Sequence, residues 1–153
     1  MRTLQIYFSN RLLVTLGISA SDVEGWLKQA QELDLTDPSA QRGVRFLEQL
    51  LSAFLPKRTA LLQNYPNPFN PETWIPYHLA DGAEVEIAIH DVRGALVRRL
   101  TLEYQDAGYY VGRERAAYWN GRNDSGEAVA NGIYFYRFRA GDFAASRRMV
   151  IVK

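Results

Sequence analysis

The chain has 153 residues, 47% of them hydrophobic, which is enough to bury a core and too apolar for global disorder. Its 18 basic and 17 acidic residues are balanced on both sides of Lys57, which excludes the one-sided field of a nucleic-acid binder. With no cysteine, disulfides and thiolate chemistry are excluded, and no stretch approaches the roughly 20 apolar residues of a membrane span.

Residues 1–20 carry two competing patterns. Leu4, Ile6 and Phe8 alternate with polar neighbours, as in a strand, whereas Leu12, Leu13 and Leu16 suit a helical turn. The apolar run from Leu12 to Ile18 is diluted by Thr15 and Gly17 and makes a poor signal peptide. The chain therefore reads as the tail of a longer protein. Residues 21–33 are predicted as a helix, with Ser21 and Glu24 at capping-box spacing and Val23, Trp26, Leu27, Ala30 and Leu33 on one face. Asp37 before Pro38 starts a second helix, since Asp caps and a proline there loses no hydrogen bond. Ala40, Val44, Leu47, Leu51 and Phe54 form its stripe, and Pro56 ends it. The two make an αα-hairpin with Trp26 and Phe54 expected in its core. Residues 1–57 are thus read as a helical segment, either a spacer or the remnant of an upstream module, and residues 58–153 as a second domain.

The pattern then changes. Asn64, Tyr65, Pro66, Asn67, Pro68, Phe69, Asn70 and Pro71 stand in a row, and three prolines in six residues forbid helix and interior strand. Tyr65 and Phe69 are expected to pack at the edge of the domain that this segment enters. Beyond Pro71 the period is two. Strands are predicted at 73–79, 85–89, 96–104, 109–119, 127–130, 133–140 and 143–152. Pro76 marks the first as an edge strand or a bulge. Asp91-Val92-Arg93-Gly94 has type I turn chemistry, Asn123-Asp124-Ser125-Gly126 is another turn, and Asn131-Gly132 is a tight-turn dipeptide. Seven short strands separated by turn signals indicate a mainly β, antiparallel sandwich behind a short helical hairpin.

Chemistry is sparse. His78 and His90 sit on predicted strands without a second histidine or carboxylate at ligand spacing, and phosphate-loop, zinc-protease and serine-hydrolase motifs are absent. Asn120, Asn123, Asp124 and Glu127 cluster in one loop, but in turn order rather than in the spaced acidic pattern of a calcium loop. No catalytic, metal or cofactor site is predicted, and the chain reads as a non-enzyme. The strand tyrosines leave a carbohydrate-binding or adhesion surface open.

The stretch from Leu62 to Lys153 resembles the C-terminal sorting domain of type IX secretion cargo, itself similar to the immunoglobulin-like domain of flagellar hook-capping proteins. The resemblance rests on Asn64 to Pro71, Asp91 to Gly94, and the run Trp119-Asn120-Gly121-Arg122-Asn123-Asp124-Ser125-Gly126. It continues through Val129-Ala130-Asn131-Gly132-Ile133-Tyr134-Phe135-Tyr136 and the tail Arg148 to Lys153. It implies an immunoglobulin-like sandwich that addresses an upstream passenger through the periplasm and the outer-membrane machinery to the cell surface or beyond. Attachment to a surface glycan or lipid after processing is also implied. Arg147, Arg148 and Lys153 are the candidate sorting residues, presented on the last strand beside the terminal carboxylate. The segment from Tyr109 to Tyr118 is longer than the strand usual before the tryptophan. An extracellular structural, adhesion or carbohydrate-binding module is the alternative.

Overall fold

The computed structural model describes residues 17–32 and 36–153. The chain divides into two units, residues 1–56 and 57–153. The patterns at Leu4 to Leu16, and Leu33, lie outside the described residues.

In the first unit, α1 spans Ala20–Gln31 and α2 spans Pro38–Phe54. The capping box is not Ser21 with Glu24. Ser19, in extended backbone, accepts from the Asp22 amide at 3.2 Å, and the Ser19 amide donates back to Asp22 Oδ2 at 2.8 Å. Both pairs have the required spacing, but only one residue can occupy the half-in position, and Ser21 already lies within the helix. The Ser19 hydroxyl, donating to Asp22 Oδ2 at 2.6 Å, and then the Ser19 amide hold the Asp22 carboxyl below its ordinary range. At α2, Asp37 Oδ1 accepts from the Ser39 amide at 3.0 Å. Leu55 turns extended, as the residue before Pro56 must. The helices pack on each other, yet Val23 is the one fully buried hydrophobic residue of either. The α2 stripe is half-buried, and Trp26, expected in the core, is 43% exposed. Two short cylinders enclose a line of side chains, not an indole.

The second unit is antiparallel β. Its strands are β1 (Ala60–Leu61), β2 (Thr73–Ile75), β3 (Tyr77–Leu79), β4 (Ala83–His90), β5 (Leu96–Gln105), β6 (Gly108–Tyr110), β7 (Ala117–Trp119), β8 (Gly132–Ala140) and β9 (Phe143–Ile151). One sheet runs β5-β4-β8-β9; short ladders β1-β3-β6 and β2-β7 face it.

The expected seven strands are redistributed. Pro76 splits the first into β2 and β3, because its ring removes the donor that would continue one ladder. Its carbonyl instead accepts from the Leu62 amide at 3.0 Å, while Tyr65 and Trp74 exchange two bonds of 2.9 Å. Residues 60–65 thus pair along the length of 73–79. The predicted strand at 109–119 breaks into β6 and β7 around a turn where the Arg115 and Ala116 amides bond Gly112 O. Glu127 to Ala130 is no strand, since only an isolated Arg122–Ala128 bridge forms there. Asn131-Gly132 is not a hairpin turn, although Gly132 has φ +148°: the strands it joins, β7 and β8, lie in different ladders.

Alternation along β4 and β8 builds the core. Val85, Ile87 and Ile89, and Tyr134, Tyr136, Phe138 and Ala140, point inward and are buried. Across the layers Tyr77 meets Phe138 at 5.0 Å and Trp119 meets Tyr134 at 6.0 Å. The β4–β5 turn has the expected chemistry: Gly94 donates to Asp91 O, and Asp91 Oδ1 accepts from the amides of Arg93 and Ala95, both at 2.9 Å.

Candidate functional site

The proline-rich segment and the last strand carry most of the candidate residues, and the fold brings them together. Phe69 joins the sandwich at its edge through its backbone, but its ring turns inward. It is 2% exposed in the core, 5.6 Å from the Trp119 ring. Its amide donates to Val150 O and its carbonyl accepts from the Val152 amide, both at 3.0 Å, making a parallel bridge with Ile151. Asn67 Oδ1 accepts from the Val150 amide at 2.9 Å, and Gln63 Nε2 donates to Arg148 O at 2.9 Å. Residues 63–69 therefore serve as a neighbour for β9, whose outer edge would otherwise be an open row of backbone groups.

Asn64 is the buried polar hub of this seam. Its Nδ2 donates to Thr73 Oγ1 at 2.9 Å and to Pro66 O at 3.2 Å, and its amide donates to the Tyr136 hydroxyl at 3.0 Å. Tyr136 in turn donates to Leu62 O at 2.9 Å, and burial raises its hydroxyl pKa. Pro66, Pro68, Asn70 and Pro71 are exposed. Tyr65 stacks on Trp74 at 6.2 Å and donates to Val111 O.

The remaining motif residues hold the neighbouring loop. Trp119 Nε1 donates to Arg122 O at 2.9 Å, and Tyr134 donates to Ala130 O at 2.9 Å. Gly121 has φ +67°, and a Cβ there would meet Pro71 O at 2.5 Å, so no larger residue fits. The Gly126 amide closes the turn on Asn123 O at 3.0 Å. Asn123 Oδ1 accepts from the Glu127 amide at 2.9 Å, and Asp124 pairs with Arg98 at 3.5 Å. The four polar residues of this loop are spent on turn bonds and an ion pair. Among the described residues, no three of His, Cys, Asp and Glu are grouped to hold a metal ion.

The three candidate sorting residues are not equivalent. Arg147 shares the parity of Met149 and Ile151, and its Nε donates to Leu61 O at 2.8 Å, stitching β9 to β1. Arg148 lies on the opposite face and is exposed. The Lys153 amide donates to Asn131 Oδ1 at 3.0 Å, and its Nζ donates to Val129 O. Sequence reasoning missed that Gln63 and Leu61 are their partners, because pairing across some 85 residues leaves no local signal.

Residues 72–142 match the FlgD Ig-like domain family. No curated protein matches the chain. Among solved structures, dimeric latent PorU from Porphyromonas gingivalis is 18% identical over 60% of this chain and 9% of its own, with TM-score 0.47. PorZ, an essential surface component of the type-IX secretion system of the same bacterium, is 19% identical over 61% and 12%, with TM-score 0.42. FlgD from P. aeruginosa is 22% identical over 48% and 54%, with TM-score 0.37. The chain thus spans a small part of the two P. gingivalis proteins and about half of FlgD. The second unit is a mainly β domain, and its residues 72–142 are similar to the Ig-like domain of FlgD.

Proposed function

We propose that residues 58–153 form a non-catalytic C-terminal sorting and anchoring domain of type IX secretion cargo, delivering an upstream passenger to the cell surface. One observation carries this reading. Two of the five stretches that carry the sequence resemblance, Asn64 to Pro71 and Arg148 to Lys153, are bonded to each other by Asn67 and Phe69, with Gln63 adding a bond just before them. A receptor reading residues 148–153 would meet one folded surface, with Arg148 and Lys153 exposed on it.

The test is delivery. A fluorescent passenger joined to residues 58–153 reaches the surface of a type IX-competent cell and stays in the periplasm of a secretion-null strain. Arg148→Glu with Lys153→Glu is retained in the periplasm while still melting cooperatively. Arg147 is left intact because its bond to Leu61 joins β9 to β1, and the cooperative melt checks that losing the Lys153 Nζ bond to Val129 O leaves the domain folded. Surface delivery in the null strain would remove the sorting reading in favour of an adhesion module. Normal delivery of the folded reversal would remove only the charge-reading step.

A further inference from the structure

The outer face of the four-stranded sheet carries a charge imbalance of which the sorting reading uses only Arg148. Strand β8 turns Tyr134, Tyr136 and Phe138 inward, so Ile133, Phe135, Arg137 and Arg139 face outward. Register then assembles the face. Ala88 lies between Arg99 on β5 and Arg137 on β8, and Glu86 lies opposite Arg139. In the next row Phe135 lies between His90 and Arg148. Four arginines thus share one face with two carboxylates, Glu84 and Glu86, and Glu86 is already paired to Arg99 at 2.6 Å. Among the described residues, Arg137, Arg139 and Arg148 have no ion-pair partner.

The face also has shape. Ala88 ends at its methyl group, so the longer side chains around it stand as walls. Glu86, Ala88, His90, Arg99, Arg137 and Arg139 line a cup of about 180 Å³. Arg137 and Arg139 are two apart on one strand, roughly 7 Å, and like charges that close repel unless an anion sits between them. Guanidinium forks match carboxylate, sulfate and phosphate oxygens in pairs, the geometry a lysine lacks. Beside the cup, Phe135 is 43% exposed and offers a flat apolar ring in register with Arg148. A ring next to a cation on an open, shallow face suits a sugar that carries a negative group. Apolar side chains protrude at the two ends of the face, Phe135 at one and Tyr104 at the other, and do not surround the charges, which fits a bilayer surface less well.

We propose that this face binds an acidic polysaccharide, with an oxyanion seated between Arg137 and Arg139 and an adjoining sugar ring against Phe135. The proposal does not rest on the sorting reading, since binding and delivery are measured separately. The full chain is titrated with dextran sulfate, with unmodified dextran of the same length, and with vesicles of phosphatidylcholine and phosphatidylglycerol. Dextran sulfate binds in a salt-dependent way and unmodified dextran does not. Arg137→Gln with Arg139→Gln weakens binding by at least about tenfold and flattens its salt dependence, as loss of two anion contacts requires. Phe135→Ala weakens it less. Arg42→Gln with Arg45→Gln on α2 removes the same net charge and leaves affinity unchanged. Thermal melts check that each variant is folded, and Arg137→Lys with Arg139→Lys, which keeps the charge, retains the salt dependence. Parental affinity in a folded Arg137→Gln, Arg139→Gln variant would overturn the proposal, as would equal binding of the two dextrans. Tighter binding to the anionic vesicles than to dextran sulfate would overturn it in favour of a lipid surface.

Discussion

The helical unit and the β unit use similar raw material to different effect. Both are patterned with apolar residues at the period of their secondary structure. In α1 and α2 that pattern leaves one fully buried hydrophobic residue, Val23, whereas the β unit encloses eighteen in one cluster. A helix pair buries the strip between two cylinders. Two stacked sheets bury whole inner faces, with aromatic side chains filling the roughly 10 Å gap between them. Patterning is therefore sufficient for an element to form, and layering decides whether its side chains leave water.

This contrast breaks most sharply at the tryptophans. Trp119→Ala empties a site buried against Phe69 and Tyr134, and is expected to cost about 3–5 kcal/mol in urea unfolding. Trp26→Ala, at an exposed ring, should shift the transition within about 0.5 kcal/mol. Equal shifts for the two would erase the distinction. Next comes Asn64→Ala, which takes the Nδ2 donor away from Thr73 Oγ1 and Pro66 O inside the seam and should cost about 1–3 kcal/mol. A variant as stable as the parent would mean that the seam does not depend on its hub.

The helical unit answers to its caps. Ser19→Ala should cost about 1 kcal/mol of α1 stability, read as lost far-UV helical signal while the near-UV signal of Trp119 persists. Loss of both signals together would show that the two units melt as one. The smallest effect is at the β4–β5 turn. Backbone hydrogen bonding, chiefly from Ala95, holds the Asp91 carboxyl below its ordinary value of 3.8. Its stabilising contribution is complete above pH 3.8 and is lost as pH falls through the lower folded-state value. Asp91→Asn should flatten the acid limb of the stability profile, and an unchanged limb would assign acid sensitivity elsewhere.

Legibility in the sequence divides along the same line. Turns announced by side chains that bond their own backbone, such as Asp37, Asp91 and Asn123, are legible where they lie. Inward and outward residues of β4 and β8 come from alternation alone. The capping box slips by two residues because two serines satisfy one rule. Pro76 is legible as a disturbance, but the ladders it separates depend on residues 60–65 and 108–119, which no local pattern connects. Of the seam, the motif residues are visible in the sequence and their mutual bonds are not. The arginine cup is hidden for the same reason, since Arg99, Arg137 and Arg139 become neighbours only once register is known.

The seam also has a mechanical meaning. Leu61, Gln63, Asn67 and Phe69 meet β9 at Arg147, Arg148, Val150 and Ile151 in turn, so the two segments run in the same direction. Tension applied between residue 60 and residue 153 pulls such neighbours lengthwise past each other. The bonds between them then share the load and must yield together, whereas a hairpin pulled open from its end gives way one bond at a time. A domain built this way resists being drawn out between its two ends far better than its modest size suggests.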